Sequence, residues 1–187
     1  MNEGEILTQK ENDKKNKQPF AYDVVSVICT AVIVIMVAFT FFFRFVGVVG
    51  DSMVPTLENN DWLLVHSKSS YEYGDIIISS QPNAFNEPIV KRIIATGGQT
   101  VDIDFETGEV KVDGKVLQED YIAETTTVRE DMAFPITVPE GKLFVLGDNR
   151  RHSTDSRSSL IGLLDERYII GKVKFRVMPI DKFTYFK

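Results

Sequence analysis

The 187 residues include 21 Lys and Arg against 27 Asp and Glu, a formal net charge of −6. That acidic balance argues against nucleic acid as a partner, because phosphate contacts need a basic surface. Cys29 is the one cysteine and His66 and His152 the two histidines, so an intrachain disulfide is excluded and no structural zinc site is expected.

In chain order, residues 1–19 are polar, with Lys10, Lys14, Lys15 and Lys17 balanced by four acids, and read as a disordered tail. Val24 to Phe43 is then a run of 20 residues without a charge. At about 1.5 Å per residue such a helix is roughly 30 Å long, enough to cross the hydrocarbon core of a bilayer. Residues 20–45 are taken as one transmembrane signal-anchor helix, with Cys29 a small apolar residue within it. The run exceeds a cleavable signal's apolar region, and Phe39–Phe45 offers no small-residue cleavage site. Four lysines precede the span, while Arg44 alone follows it before Lys68, which predicts a cytoplasmic N-terminus and a domain on the outer face of the cell membrane.

Residues 46–187 show a β pattern. Apolar and β-branched runs recur at Trp62–His66, Asp75–Ser79, Ile89–Ile94, Thr100–Phe105, Glu109–Val112, Leu143–Leu146 and Tyr168–Val177. Gly-containing turns separate many of them, and Val101 to Phe105 alternates at period two as a half-buried strand does. Asp113-Gly114 reads as a hairpin turn between two short strands. Residues 119–139, richer in Thr, Glu and Pro, read as a surface loop. The fold class expected is mostly β: one N-terminal transmembrane helix followed by a β-rich, sandwich- or barrel-like catalytic domain.

Three clusters carry possible chemistry. Ser52, in Gly50-Asp51-Ser52-Met53, lies shortly after the apolar run, so a reaction there would take place close to a membrane surface. A nucleophilic serine needs a base. His66 lies in an apolar strand pattern that suits a structural histidine, and His152 stands beside the cation Arg151, which disfavours its charged form. Lys91, in Ile89-Val90-Lys91-Arg92-Ile93-Ile94, is the better candidate: alternation points one of the two cations into an apolar environment, and only lysine can lose its proton. Burial would lower its pKa and leave an amine able to take a hydroxyl proton. Read alone, the pair also suits a snorkelling edge-strand Lys-Arg. Gly147 to Arg157, dense in charge and hydroxyls after an apolar strand, reads by itself as a solvated loop.

Taken together and in this order, the clusters resemble the bacterial type I signal peptidases. Ser52-Met53-Val54-Pro55-Thr56-Leu57 is similar to the family's nucleophile box, Val90-Lys91-Arg92 to its base box, and Gly147-Asp148-Asn149-Arg150 through Ser153, Asp155, Ser156 and Arg157 to its third signature. The resemblance runs from the anchor to about Pro179 and is closest to single-anchor members from Gram-positive bacteria. It implies a Ser-Lys serine endopeptidase that removes signal peptides from exported preproteins after a small-x-small motif such as Ala-x-Ala, and that needs no metal, nucleotide or other cofactor. Ser52 would be the nucleophile and Lys91 the general base. Ser153 would hydrogen-bond and orient the lysine, Asp155 and Arg157 would hold the loop, and Met53 would line the site. The implied partners are preprotein signal peptides, the lipid bilayer and the secretion translocon, with the enzyme a monomer. Two features depart from the pattern. Gly50 stands where some members have a serine that donates to the oxyanion, which leaves the second donor to a backbone group near Gly50 or to water, and makes Gly50→Ser a route to higher turnover. Ala95-Thr96-Gly97-Gly98-Gln99 replaces the usual Gly-x-Pro-Gly-Asp.

Two other readings differ in class. A self-cleaving or repressor-type Ser-Lys peptidase resembles this chain around Gly-Asp-Ser-Met but is soluble and carries a DNA-binding domain, which the anchor and the acidic composition oppose. An anchored β-domain that binds envelope partners without catalysis is the third, and a serine-acylating probe separates it from an enzyme.

Overall fold

The computed structural model describes residues 20–67 and 70–186. The tail read at residues 1–19 and the topology-marking Lys68 lie outside the described residues. The chain divides into two units between Phe41 and Phe42. The first contains nearly all of helix α1 (Phe20–Phe42), whose 23 residues carry one charge, Asp23, and are long and apolar enough to cross a membrane. Its large apolar side chains are exposed. The helix ends three residues before the sequence reading placed its end, because Phe43-Arg44-Phe45-Val46-Gly47 finds a strand partner: Phe43 pairs with His66 and Gly47 with Trp62.

The second unit is β. Its strands are β1 (Phe43–Gly47), β2 (Trp62–His66), β3 (Ile76–Ser79), β4 (Ile89–Thr96), β5 (Thr100–Asp104), β6 (Glu109–Val112), β7 (Lys115–Val116), β8 (Ile136–Thr137), β9 (Lys142–Leu146), β10 (Leu164–Asp165), β11 (Ile169–Met178) and β12 (Thr184–Tyr185). Among the described residues they form an eight-stranded sheet, ordered β1-β2-β11-β3-β4-β9-β10 with β12 against β11, and a four-stranded sheet, β7-β6-β5-β8. The fold is mostly β, as the alternation predicted. The hairpin read at Asp113-Gly114 is present, with both residues at positive φ (50° and 77°), the backbone that a two-residue turn needs to match strand twist.

Ile76-Ile77-Ile78 of β3 and Leu143 to Leu146 of β9 are continuous apolar runs because both faces of these strands are covered, whereas β4 carries Lys91 and Arg92 within its apolar run. Ile94, Phe144 and Leu146 pack with Val101, Ile103 and Val110 of the small sheet. The alternate residues Ile93, Leu143 and Val145 pack the other way, against Ile77, Ile161 and Leu164. A third cluster gathers Val48, Met53, Leu57, Leu63, Val65, Ile76, Ile78 and Val173. Met53 and Leu57 are 1% and 0% exposed, and burying such side chains is worth about 1.5–3 kcal/mol each. They pin the turn that carries Ser52 onto the large sheet.

Residues 119–139 are largely the exposed loop expected, but the segment turns inward at particular points: Thr126 and Val138 are buried, Ile136–Thr137 forms β8, and the Glu119 side chain lies almost wholly inside. Buried arginines on the neighbouring loop draw this segment inward, as its contacts at the site below make plain.

Candidate active site

Ser52 stands on the turn between β1 and β2. The connection is tied at its base, where the Val48 N–H donates to the Asp61 carbonyl at 2.8 Å and the Asn60 N–H to the Val48 carbonyl at 2.9 Å. Lys91 arrives from β4, held in register opposite Ile77 of β3. One residue on, Arg92 pairs with Leu146 of β9, so the loop beginning at Gly147 starts beside the same end of the sheet. Three segments distant in sequence meet there because antiparallel pairing leaves them no other register.

Nζ of Lys91 lies 2.8 Å from Oγ of Ser52. Lys91 is 5% exposed and Ser52 half-buried. Burial is the main influence on the lysine and lowers its pKa. The Asp155 carboxylate pushes it back up, the Arg157 guanidinium pushes it down, and Asp148 and Glu130 act more weakly upward. The repelling neighbour is Arg157 rather than Arg92, the neighbour favoured by adjacency in sequence. Arg92 is neutralised by a bidentate pair with Asp148, Nε–Oδ1 at 2.8 Å and Nη2–Oδ2 at 2.6 Å, and lies 4.0 Å above the Tyr121 ring.

The loop after β9 is a frame rather than a solvated turn. Asp155 is fully buried and accepts from the Gly147 N–H at 3.0 Å, the Ser153 hydroxyl at 2.9 Å and the Arg157 guanidinium at 2.8 and 3.0 Å. Arg157 also donates to the carbonyls of Val128 and Ser153. Asp155 and Arg157 thus stand as a buried pair within the loop that faces Ser52 and Lys91. Ser153 departs from what the resemblance implied: its hydroxyl donates to Asp155, and no hydrogen bond joins it to Lys91 among the described residues. Asp155, charged and already bound by Arg157, is the stronger acceptor at that position.

Gly147 closes the frame. A Cβ there would collide with the Ser153 side chain and the Ser52 carbonyl, so only glycine lets the loop approach the nucleophile turn this closely. Asn149 then joins the two, its N–H donating to the Ser52 carbonyl and its Nδ2 to the Asp51 carbonyl, each at 3.0 Å.

The N–H of Gly50 donates to Oδ1 of Asn59 at 3.1 Å. The Ser52 N–H has no acceptor among the described residues. Gly50 and Met53 line the same cleft as Ser52 and Lys91, about 490 Å³ in volume and walled by Val46, Val48, Ile78 and Val90. That is within the range of ligand-sized sites. His66 packs edge-on against the Phe43 ring at 5.4 Å, and His152 is exposed; no imidazole bonds to Ser52 among the described residues.

Residue patterns did not single out Glu119. It accepts two hydrogen bonds from the fully buried guanidinium of Arg150, at 2.6 and 2.9 Å, while Thr126 takes a third at 2.6 Å. Nε of Arg150 donates to the Gly147 carbonyl at 3.0 Å. The available signal was the arginine itself, since a buried guanidinium requires acidic partners and the nearest unassigned acids lay in the supposed surface loop.

Comparison with known proteins gives the family. Residues 21–178 match the family described as signal peptidase, peptidase S26. The chain is similar to signal peptidase I of Bacillus licheniformis, 33% identical over 188 residues that cover 95% of this chain and 97% of the relative. It is similar to signal peptidase I S of Bacillus subtilis strain 168, 33% identical over 186 residues covering 93% and 97%. A crystal structure of a signal peptidase I from Enterococcus faecalis V583 matches with a TM-score of 0.46 and 30% identity, covering 56% of this chain and 97% of that one. The chain belongs to the signal peptidase family, peptidase S26, and is a serine endopeptidase of signal peptides.

Proposed function

We propose that the chain cleaves preproteins with a Ser52–Lys91 dyad, after a small-x-small motif, while anchored by a single membrane span. The observation that carries the dyad is the 2.8 Å approach of Nζ to Oγ, made by a lysine whose pKa burial has lowered. The neutral amine takes the Ser52 proton as Oγ attacks the scissile carbonyl carbon. The Ser52 N–H donates to the resulting oxyanion. Collapse breaks the C–N bond, the Lys91 ammonium returns the proton to the leaving amine, and an ester on Ser52 remains. Water, deprotonated by Lys91, then hydrolyses the ester and regenerates the hydroxyl.

The remaining assignments follow the same reading. Met53 and the valine-rich cleft favour small substrate side chains, and Asp155, Arg157 and Ser153 hold the loop that encloses the lysine. Residues 1–19 form a cytoplasmic tail, residues 20–42 the span, and the β unit acts as a monomer on the outer face, where a translocon delivers substrate. A tethered Ser52 then meets a scissile bond held near the same bilayer at high effective concentration.

The test is processing of a preprotein by purified protein in detergent, with the new N-terminus sequenced. Ser52→Ala is expected to abolish cleavage with folding intact, and Lys91→Arg to do the same although the positive charge is kept. Near-normal cleavage by Lys91→Arg would make Lys91 a structural cation and the dyad wrong.

A further inference from the structure

The cleft beside Ser52 is lined by two charged side chains, and the chemistry above uses one. Lys91 lies at its buried end; Glu87 stands exposed at its rim, next to Phe85. The loop between β3 and β4 that carries them has a built shape. Oδ1 of Asn83 accepts from the Phe85 N–H at 2.9 Å, and Nδ2 of Asn83 donates to the carbonyls of Gln81 and Glu87 at 3.2 and 2.8 Å. Asn86 turns through a left-handed φ of 55°, and Pro88 leads into β4. The backbone of Glu87 is therefore held in place, while its carboxylate enters no ion pair among the described residues. Phe85 leaves half of its surface exposed on the cleft side of this loop.

We propose that Phe85 and Glu87 form a subsite for a cationic, long-stemmed side chain of the peptide substrate, four residues before the scissile bond or three or four after it. The inference rests on the Ser52–Lys91 reading, because the distance is counted from Ser52. Glu87 precedes Lys91 by four positions, and an extended chain advances about 3.3 Å per residue. A peptide lying extended along Ile89–Lys91, with its reacting carbonyl at Ser52, brings a side chain three or four positions away beside Glu87. A lysine or arginine fits both groups at once: the methylene stem lies across the Phe85 ring and the head meets the carboxylate. An acidic side chain at that position meets like charge, and a neutral one gains only the ring. The apolar wall between rim and base, Ile78, Ile89 and Val90 among it, offers charge no alternative partner.

Because the pair is solvent-exposed, the preference is modest and salt-sensitive. The experiment uses the full-length protein in detergent and a set of peptides that differ only in Lys, Gln or Glu at the fourth position before the scissile bond or the third or fourth after it. At one of those positions kcat/KM is expected to rank Lys above Gln above Glu, with steps of about two- to five-fold at low salt. The steps should shrink toward unity in 1 M NaCl. Glu87→Gln should flatten the ranking and Glu87→Lys should reverse it. These are ratios within one preparation, so a partly unfolded variant does not distort them. A ranking unchanged in Glu87→Lys, or no charge ranking at any position, would overturn the subsite while leaving the dyad standing. Failure to cut any of the peptides, including those matching a processed preprotein, would overturn the dyad reading and the subsite with it.

Discussion

Lys91 faces two opposing demands: burial lowers its pKa, and Asp155, Asp148 and Glu130 raise it. The direction that wins is downward, and only the neutral amine can act as a base. The pH profile of kcat/KM should therefore rise through an apparent pKa below the roughly 10.4 of free lysine, and activity should be lost as pH falls through it. A limb at or above 10.4 would remove Lys91 as the base. The sign carries over to stability. Between the folded and unfolded lysine pKa values the unfolded chain binds more protons, so this group's contribution to stability rises with pH up to about 10.4. At Gly50 the backbone weighs against a serine. A serine Cβ there meets nothing within 4 Å, but Gly50 has a φ of 90°, where a side chain costs about 1–3 kcal/mol of strain. Gly50→Ser is thus expected to lower the thermal midpoint without raising kcat, measured by calorimetry and peptide turnover. A gain in kcat at unchanged stability would show that the turn tolerates the serine and that an oxyanion donor was missing.

The elements that place the dyad were legible in the sequence to very different degrees. Trp62–His66 and Glu109–Val112 were read with their observed ends, because alternation and a two-residue turn are local signals. β1 was hidden: Phe43-Arg44-Phe45 continues an aromatic run that suits a helix equally well, and only pairing with β2 decides it. The dyad itself was visible as three motifs, but the frame behind it was not, because what a buried arginine bonds to is set by contacts distant in sequence. Arg150 shows the energetic weight of that frame. Its guanidinium is fully buried between Glu119, Thr126 and the Gly147 carbonyl. Glu119→Ala would strand that charge, a loss of about 3–5 kcal/mol for a broken buried pair. The urea midpoint should fall accordingly, and turnover should fall with it because Arg150 also holds Gly147 against the Ser52 turn. Glu119→Gln, which keeps an acceptor but not the charge, should lie between wild type and Glu119→Ala. A change within about 0.5 kcal/mol in Glu119→Ala would show that the loop stands without this pair.

At the scale of the whole molecule, function depends on which side of the bilayer the β unit occupies, and composition rather than packing decides that. The unit has a formal charge of −6 from residue 45 onward, with 16 Lys and Arg against 22 Asp and Glu, yet acids count for little in orientation. The weight falls on Lys10, Lys14, Lys15 and Lys17 before the span and on Arg44 after it. That asymmetry of four to one is the ground on which a cytoplasmic N-terminus is proposed for α1. Replacing the four lysines by glutamine leaves Arg44 as the dominant flanking charge. Part of the population should then insert in the opposite sense. Protease added outside intact spheroplasts would digest the β unit completely in the wild type and only partly in the variant. Because a β unit on the inner face meets no exported substrate, processing of preprotein in the cell should fall in proportion to the protected fraction. Detergent-solubilised enzyme should keep its specific activity, since the proposed chemistry assigns these lysines no role. Full digestion of both proteins, with unchanged processing, would show that orientation is set by something other than the flanking charges.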